Sequence, residues 1–341
     1  MYSFLNDYNE IAHPAVMQTL NDLSGKRFKG YGTDEVCSRV AAQIRLRIGQ
    51  PSADVHFFNG GTITNLTTIS HVLRPHQAVI AVDSGHIAVH ETGAIEATGH
   101  KVITIDSPSG KLTPAHITKV LSEHGDEHTV QPKLVYISNS TEIGTVYRKQ
   151  ELVALREICD AHNLLLFMDG ARLSSGLMSK YSDLTIEDVA KLTDIFYIGG
   201  TKIGALTGEI LVIVNPALQS DFRFSIKQKG GLQAKGWLLA AQFEPLFNDD
   251  LYFKLGSHLN EMASQLASFF TEKGFQFLAP VESNQVFVIF PNALANKLLT
   301  HYQLSLICKP TPETTCIRFC TSWSTTQQDV DKLKQTFQAL L

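Results

Sequence analysis

One stretch decides the fold: Asp194-Ile195-Phe196-Tyr197-Ile198-Gly199-Gly200-Thr201-Lys202. Its apolar run, Ile195 to Ile198, combines β-branched and aromatic residues, which is typical of a buried strand. Ligands of α/β proteins bind beyond the carboxyl ends of such strands, so this strand delivers Lys202 to a binding edge. Because burial disfavours an ammonium ion, a lysine there readily becomes a neutral, nucleophilic amine. The alternative is an exposed lysine that merely follows a strand.

A second apolar run, Leu164 to Met168, is followed by Asp169-Gly170-Ala171-Arg172. A carboxylate at the mouth of such a strand is costly to bury unless it is paired. Arg172 could pair with Asp169, or both could face a ligand. An acid and then a lysine at successive strand ends are what a pyridoxal phosphate site needs, because the acid keeps the pyridine nitrogen protonated and the lysine carries the aldehyde. The alternative is a structural Asp–Arg pair.

Strand and helix patterns alternate along most of the chain. About seven strand patterns between Asp54 and Val214 predict one mostly parallel sheet covered by helices. A helix is predicted over Gln233 to Phe247, and a long amphipathic helix runs from Asp249 to about Lys273. Short strands follow around residues 286–290 and 317–321. The sequence therefore predicts an α/β protein with a large domain over residues 1–248, which includes an N-terminal lead of residues 1–13, and a smaller C-terminal α+β domain over residues 249–341.

The composition excludes several classes of protein. The chain has 341 residues, 44% of them hydrophobic and 18% charged, so it is not disordered. The formal charge of −4 gives no footprint for a nucleic-acid partner. No apolar run approaches the roughly 20 residues of a membrane span, and the first residues lack a signal-peptide pattern. The five cysteines are scattered without a C-x-x-C pair, which favours free thiols and a cytoplasmic location.

Two further segments place polar groups at strand ends. Asn59-Gly60-Gly61-Thr62-Ile63-Thr64-Asn65-Leu66 lies between a predicted strand and helix, where free N–H groups bind an anion. It is no P-loop, because no G-K-[ST] follows, and such a loop can also be a simple turn. His86 follows the next strand, and its imidazole could lie flat over an aromatic ring. The spacing to His90 could indicate zinc, but Ile87 stands where a metalloprotease has its glutamate, so no metal is expected.

These motifs occur in a characteristic order: G-G-T-x-T-N at 60–65, D-S-G-H at 83–86, D-G-A-R at 169–172 and G-G-T-K at 199–202. The set closely resembles the pyridoxal phosphate-dependent threonine aldolase and β-eliminating lyase family, over nearly the whole chain. The resemblance implies fold type I of the pyridoxal enzymes, and a homodimer or homotetramer with shared active sites. It also implies retro-aldol cleavage of L-threonine and L-allo-threonine, which are β-hydroxy-α-amino acids, to glycine and an aldehyde.

The resemblance implies a role in cofactor binding for five residues. Lys202 resembles the lysine that carries the cofactor, and Asp169 resembles the partner of the pyridine nitrogen. His86 matches the imidazole that stacks on the ring. Gly61 and Thr62 match the loop that binds the phosphate.

Four further residues are implied to contact the substrate or the cofactor's edge. Arg172 matches the family arginine near the cofactor phenolate and the substrate carboxylate. Arg318 resembles the small-domain arginine that clamps the substrate carboxylate, and its fork suits bidentate capture, although a structural ion pair is the alternative. Asn6 falls where a family serine contacts the carboxylate. Tyr31 resembles a tyrosine offered by the neighbouring subunit.

The chain also departs from the family pattern. Glu142 stands where many threonine aldolases carry a histidine near the substrate hydroxyl, which leaves the threo/erythro preference open. Gln233 stands where many members have an arginine. The base that takes the β-hydroxyl proton is left open between His86, Glu142 and a water. Two other functions are also left open: β-elimination from another amino acid, which would give pyruvate and ammonia, and a non-catalytic binding protein of the same fold.

Overall fold

A computed structural model describes residues 3–341 and confirms the alternation of strands and helices. The strands in this part of the chain are β1 Asp54–Phe58, β2 Gln77–Val82, β3 Val102–Ile105, β4 Gln131–Ser138, β5 Leu165–Asp169, β6 Ile195–Gly199, β7 Glu209–Ile213, β8 Gln276–Phe277, β9 Gln285–Pro291, β10 Ser305–Thr311 and β11 Thr314–Cys320. The α-helices are α1 Pro14–Asp22, α2 Glu35–Ile48, α3 Gly61–Val72, α4 His86–Val89, α5 Pro114–Glu123, α6 Lys149–Ala161, α7 Leu173–Leu177, α8 Ile186–Leu192, α9 Phe222–Gln228, α10 Trp237–Ala241, α11 Phe243–Phe247, α12 Leu251–Glu272, α13 Asn292–His301 and α14 Gln327–Leu340, and 3₁₀ turns span Glu96–Thr98, Pro216–Leu218 and Asn248–Asp250.

Seven strands form one sheet in the order β1-β7-β6-β5-β4-β2-β3. All neighbouring pairs are parallel except the two that involve β7, which is antiparallel to β6 and to β1. The prediction of a mostly parallel seven-stranded sheet is confirmed. Because β7 runs the other way, its first residue, Glu209, lies opposite Gly199 at the end of β6. The edge that collects the carboxyl ends of β5 and β6 therefore also collects the start of β7.

The central strands are apolar throughout because helices cover both faces of the sheet. In β6, Phe196 and Ile198 belong to one hydrophobic cluster, and Ile195 and Tyr197 belong to another. Side chains alternate between the two faces of a strand, so a strand buried on both faces loses the polar alternation of a half-exposed one. This is the physical reason for the uninterrupted apolar run before Lys202.

The second sheet is antiparallel, in the order β10-β11-β9-β8. Its core includes Ile317 and Phe319 of β11, so Arg318 between them faces the other way. Phe4 of the N-terminal lead packs in the same core, and its carbonyl accepts a hydrogen bond from the Cys320 amide at 2.9 Å. The lead thus contacts the C-terminal sheet, and the division of the chain at residue 248 stays a prediction.

The secondary structure differs from the prediction in the C-terminal half of the chain, where the short strand β8 was also not predicted. The helix predicted over Gln233 to Phe247 is wrong in extent, because α10 and α11 are separate helices that begin only at Trp237. Pro245 lacks the N–H that would bond to the carbonyl of residue 241, so a continuous helix loses a rung there. Strand β10 was not predicted; it is an exposed edge strand that contains Pro310, which sheets tolerate only in such places. Within residues 3–341, no helix has the length and apolar character needed to cross a bilayer.

Candidate active site

A cavity of about 570 Å³ opens at the edge where β6 ends and β7 begins. Its volume lies in the range of about 300–1,000 Å³ that is usual for small-molecule sites. Residues from both sheets and from the N-terminal lead line it. Most of the predicted site residues belong to its wall, namely Gly61, Thr62, His86, Glu142, Arg172, Lys202 and Arg318.

Lys202 reaches this cavity from the turn after β6 and is half-buried. Its ammonium nitrogen has no hydrogen bond or ion pair with any residue in the described range of 3–341. Burial and the charge of Arg172 lower the pKa of Lys202, against the opposing effect of the carboxylates of Asp7, Asp169 and Glu209. The site therefore favours a neutral amine more than water does, as a nucleophilic lysine requires.

Asp169 is the last residue of β5 and is buried directly behind the cavity wall. One oxygen accepts hydrogen bonds from the Tyr136 hydroxyl at 2.5 Å and the Asn65 amide at 3.2 Å, and the other accepts one from the backbone N–H of Ala171 at 2.9 Å. Burial alone would raise the pKa of Asp169, but the charge of His86 and the hydrogen bonds lower it below its ordinary value. Asp169 is therefore a fixed anion beside the cavity.

His86 begins α4, and a buried carboxylate orients its ring. The Nδ1 atom of His86 lies 2.7 Å from Oε1 of Glu91, which also accepts a hydrogen bond from Asn65 at 2.7 Å. Since Asn65 also donates to Asp169, one chain of polar contacts joins the imidazole to that acid. Burial lowers the pKa of His86, but Glu91 and Asp169 raise it above its ordinary value. The sequence places Glu91 within about one helical turn of His86, but no role was predicted for Glu91, because a single acid shows no pattern that identifies its partner.

The glycine-rich loop ends in the N-terminus of α3 at the cavity wall. Gly60 is the N-cap and has no side-chain oxygen to cap the helix, so the first N–H groups of α3, including those of Gly61 and Thr62, lack intrahelical partners. A Cβ at Gly61 would lie only 3.1 Å from the Tyr197 hydroxyl, so glycine allows this close approach. Free N–H groups and the helix dipole suit the loop to an anion, and the predicted phosphate contact of Gly61 and Thr62 stays a prediction.

Arg172 does not pair with Asp169, the partner considered from the sequence; it pairs with Asp7. Its Nε and Nη2 atoms lie 2.7 and 3.1 Å from the two oxygens of Asp7, which also accepts a hydrogen bond from Asn284 at 2.9 Å. Burial raises the pKa of Asp7, but Arg172 and Lys202 outweigh that effect and lower it to about 2. Through Arg172, Asp7 joins the N-terminal lead to the cavity wall, and no role was predicted for Asp7 from the sequence.

Asn6 and Tyr31 lie outside the cavity wall. The side chain of Asn6 accepts a hydrogen bond from the Tyr8 amide at 3.1 Å, so its contact with substrate stays a prediction. Tyr31 is 43% exposed and borders a separate cavity of about 230 Å³ beside Arg223. The ammonium of Lys227 lies 4.5 Å from the centre of its ring. The predicted role of Tyr31 depends on a neighbouring subunit and also stays a prediction.

Arg318 enters the cavity without an anionic partner. Its Nη1 donates to Oε1 of Gln285 at 3.1 Å, and its Nη2 donates to the Leu5 carbonyl at 3.0 Å and to Oγ of Ser305 at 3.2 Å. These acceptors are all neutral, and no carboxylate within residues 3–341 pairs with this guanidinium. The alternative, a structural ion pair of Arg318, is therefore not seen in the described part of the chain. A half-buried, uncompensated guanidinium is instead suited to a carboxylate ligand.

Glu142 has one occupied and one free carboxylate oxygen at the cavity. Oε1 accepts hydrogen bonds from the backbone N–H of His86 at 2.8 Å and from Oγ of Ser138 at 2.7 Å. Oε2 is buried without a hydrogen-bond partner among the described residues. Burial and the charge of Asp169 raise the pKa of Glu142 above its ordinary value. Glu142 therefore accepts a proton more readily than an exposed glutamate does. No set of three His, Cys, Asp or Glu side chains within residues 3–341 is arranged to hold a metal ion.

Comparisons with known proteins agree with this geometry. Residues 24–293 match the family model for beta-eliminating lyases. A low specificity L-threonine aldolase of a Pseudomonas species is 32% identical over 92% of this chain and 90% of that protein. A solved structure of a Leishmania major threonine aldolase matches with a TM-score of 0.98 and 46% identity, over 100% of this chain and 99% of that one. A Sphingomonas wittichii serine palmitoyltransferase, 14% identical, matches with a TM-score of 0.75 over 100% and 86% of the two chains and shows the fold alone. The predicted resemblance and the predicted fold type I are confirmed.

Proposed function

The chain belongs to the beta-eliminating lyase family, and from that premise we propose that it cleaves L-threonine and L-allo-threonine to glycine and acetaldehyde, as a pyridoxal phosphate-dependent lyase. One observation carries the proposal: the unpartnered amine of Lys202 lines the cavity, and the fixed anion of Asp169 lies directly behind the same wall, where it accepts a hydrogen bond from the N–H of the wall residue Ala171. A lysine that merely followed a strand would have no such acid beside it.

The residues of the cavity fit the cofactor. Asp169, which stays ionised behind the wall, suits a protonated pyridine nitrogen. The uncapped start of α3 at Gly61 and Thr62 suits the phosphate, and His86 offers a flat ring to the pyridine face. Lys202 supplies the amine for the aldehyde. When bound, the cofactor supplies an electron sink for negative charge at the substrate Cα.

Two arginines of the cavity differ in their capacity for a substrate carboxylate. Asp7 already compensates the charge of Arg172 through two short contacts. Arg318 has only neutral acceptors. An anionic ligand gains most from the guanidinium that is not yet neutralised, so Arg318 is the main anchor of the substrate carboxylate. Arg172 borders the same space and orients the edge of the cofactor.

Between the two candidate bases, the contacts favour Glu142. Glu91 holds His86 through Nδ1 and raises the pKa of His86, which favours the charged imidazolium and makes it a weaker proton acceptor at neutral pH. Glu142 lines the cavity, its Oε2 has no hydrogen-bond partner among the described residues, and its raised pKa makes it a stronger base than an exposed glutamate. An efficient general base has a pKa near the working pH. Glu142 therefore takes the proton of the substrate β-hydroxyl, while His86 packs on the cofactor.

The product of each substrate tests the function. Purified protein loaded with pyridoxal phosphate is given L-threonine or L-allo-threonine, and glycine and acetaldehyde are measured beside pyruvate and ammonia. We expect the wild type to release glycine and acetaldehyde in equal amounts from each substrate. We expect Lys202→Ala to release neither product from either substrate. His86→Ala and Glu142→Ala compared on both isomers show which side chain acts on the β-hydroxyl. Pyruvate and ammonia without glycine would instead support β-elimination, and no turnover of either isomer would contradict the aldolase proposal.

The proposal includes a homodimer or homotetramer with shared sites. Its support is the position of Tyr31, which is exposed and borders another cavity than Lys202 does. Light scattering gives the assembly, and mixed oligomers test the sharing. If the Tyr31→Ala and Lys202→Ala oligomers are each inactive, oligomers that contain both kinds of subunit are prepared. These mixed oligomers regain activity only when Tyr31 of one subunit completes the active site that holds Lys202 of its neighbour. A fully active Tyr31→Ala enzyme would contradict shared sites.

A cytoplasmic location is also part of the proposal. All five cysteines are free, and four of them are buried thiols. Free thiols persist in reducing compartments. Cell fractionation with an antibody against the chain tests the location.

A further inference from the structure

Glu209 is a buried acid that contacts the two residues directly before Lys202. It is 5% exposed, and its Oε2 accepts a hydrogen bond from the backbone N–H of Gly200 at 2.9 Å. Its Oε1 accepts one from the hydroxyl of Thr201 at 2.9 Å. The antiparallel direction of β7 makes this possible, because it places Glu209 opposite Gly199 at the end of β6. The carboxylate thus holds the turn that carries the lysine.

Further contacts leave this turn little freedom. The N–H of Gly200 also reaches the Gly208 carbonyl at 3.0 Å, and the N–H of Gly208 donates to the Thr201 hydroxyl at 3.0 Å. A Cβ at Gly200 would come within 2.5 Å of the Phe243 ring and 2.7 Å of the Gly208 carbonyl. The end of β6, the start of β7 and the Glu209 carboxylate therefore fix the backbone of the turn that carries Lys202.

Glu209 has no cation in hydrogen-bond contact among the described residues, although burying a carboxylate without one is costly. Burial raises the pKa of Glu209 to about 7, against the opposing effect of the hydrogen bonds and of the charge on Lys202. In return, the charge of Glu209 raises the pKa of Lys202. Titrations of two such groups depend on each other.

Other charged or titratable groups act on the same two side chains. Those that interact electrostatically with Lys202 or Glu209 are Asp7, His86, His90, Asp169, Arg172, Tyr252, Tyr197 and Cys320. They remain in place when Glu209 is changed, so a variant at Glu209 isolates its own contribution.

We propose that Glu209 is the positioning residue of Lys202: its hydrogen bonds to Gly200 and Thr201 fix the turn that carries the lysine, and its carboxylate lies in the wall of the same cavity as the amine. The proposal rests on the role proposed for Lys202. It assigns to β7 a carboxylate that acts on the nucleophile through the turn that carries it.

The test measures Lys202 in the apoprotein. Limiting acetic anhydride labels free amines, and mass spectrometry of the Lys202 peptide over a pH series gives the midpoint of its labelling. In Glu209→Gln the midpoint falls by about one pH unit, because the variant lacks a neighbouring negative charge that favours the ammonium form of Lys202. In Thr201→Val it falls by less, because Glu209 loses a hydrogen bond that favours its charged form and stays neutral to higher pH.

Two controls are matched to these variants. Thr207→Val removes another hydroxyl of the cavity wall, which donates to the Asn59 carbonyl and does not contact Glu209. Glu313→Gln removes an exposed carboxylate of the turn between β10 and β11. Both leave the labelling midpoint of Lys202 at the wild-type value. A thermal melt of every variant confirms that the chain is folded.

The results separate this proposal from the proposed function. A midpoint in Glu209→Gln equal to that of the wild type would overturn the inference, and if that variant does not fold, an unchanged midpoint in Thr201→Val would do the same. Labelling of the apoprotein needs neither cofactor nor substrate. A shifted midpoint in a protein that releases no glycine from threonine would therefore support the role of Glu209 and contradict only the aldolase activity.

Discussion

Replacement of Arg318 by glutamine is expected to remove recognition of the substrate carboxylate. In the structure this guanidinium has three hydrogen bonds to neutral acceptors and no carboxylate partner. Truncating one member of a largely buried charge pair costs about 2–5 kcal/mol, and we take about 3 kcal/mol because Arg318 is only half-buried. At 1.36 kcal/mol for each factor of ten, kcat/KM for L-threonine falls by about 10²-fold.

The informative assay compares L-threonine with its carboxamide, which has the same β-hydroxyl but no negative charge. The wild type has a much higher kcat/KM for threonine than for the carboxamide. Arg318→Gln loses most of that preference, because the substitution lowers kcat/KM for the charged substrate and not for the neutral one. Arg318→Lys keeps the charge without the planar fork and recovers part of the preference. The cofactor absorbance and thermal melt remain as in the wild type. Equal losses on both substrates would refute the reasoning, because they would show that Arg318 acts on the fold or the cofactor.

Three further outcomes are expected. Lys202→Ala abolishes the visible absorbance of the lysine-bound cofactor, seen by spectrophotometry, together with turnover. Glu142→Gln keeps that absorbance and the hydrogen bonds at Oε1 but lowers kcat by at least about 10²-fold in steady-state assays, the usual effect of losing a general base. Because the pKa of Asp7 falls from 3.8 to about 2 on folding, its charge stabilises the fold by about 2 kcal/mol above pH 4, an effect lost as the pH falls toward 2. The difference in urea unfolding between wild type and Asp7→Asn therefore shrinks from pH 6 to pH 3, and a constant difference would contradict this.

The sequence predicts the parts of the site that lie at strand ends. Asp169 and Lys202 follow long apolar runs, and those runs exist because both faces of the sheet are covered. Parallel strands then bring the two residues to one edge without further information. Gly61 is predictable for a similar reason, since a glycine loop between a strand and a helix exposes free N–H groups.

The acids that support the site are not predictable in this way. Asp7 lies 165 residues from Arg172 in the chain, and Glu91 lies 26 residues from Asn65. Each is a single polar residue whose partner is chosen by the folded backbone. The sequence offered Asp169 as the neighbour of Arg172 because the two are close in the chain, whereas three-dimensional packing gave that position to Asp7. Local periodicity carries no information on such pairings.

The contacts of the acids divide them into two kinds, and the division explains their roles. Asp7 receives two contacts from a guanidinium, and Asp169 accepts three hydrogen bonds beside His86, so the pKa of each falls despite burial. Glu142 leaves one oxygen without a donor, and Glu209 has a single neutral donor on each oxygen, so burial prevails and the pKa of each rises. Acids of the first kind hold a permanent charge, which a bound cation or a pyridinium needs. Acids of the second kind have pKa values above their ordinary range and accept a proton more readily, as the roles proposed for them at the substrate hydroxyl and at the lysine require.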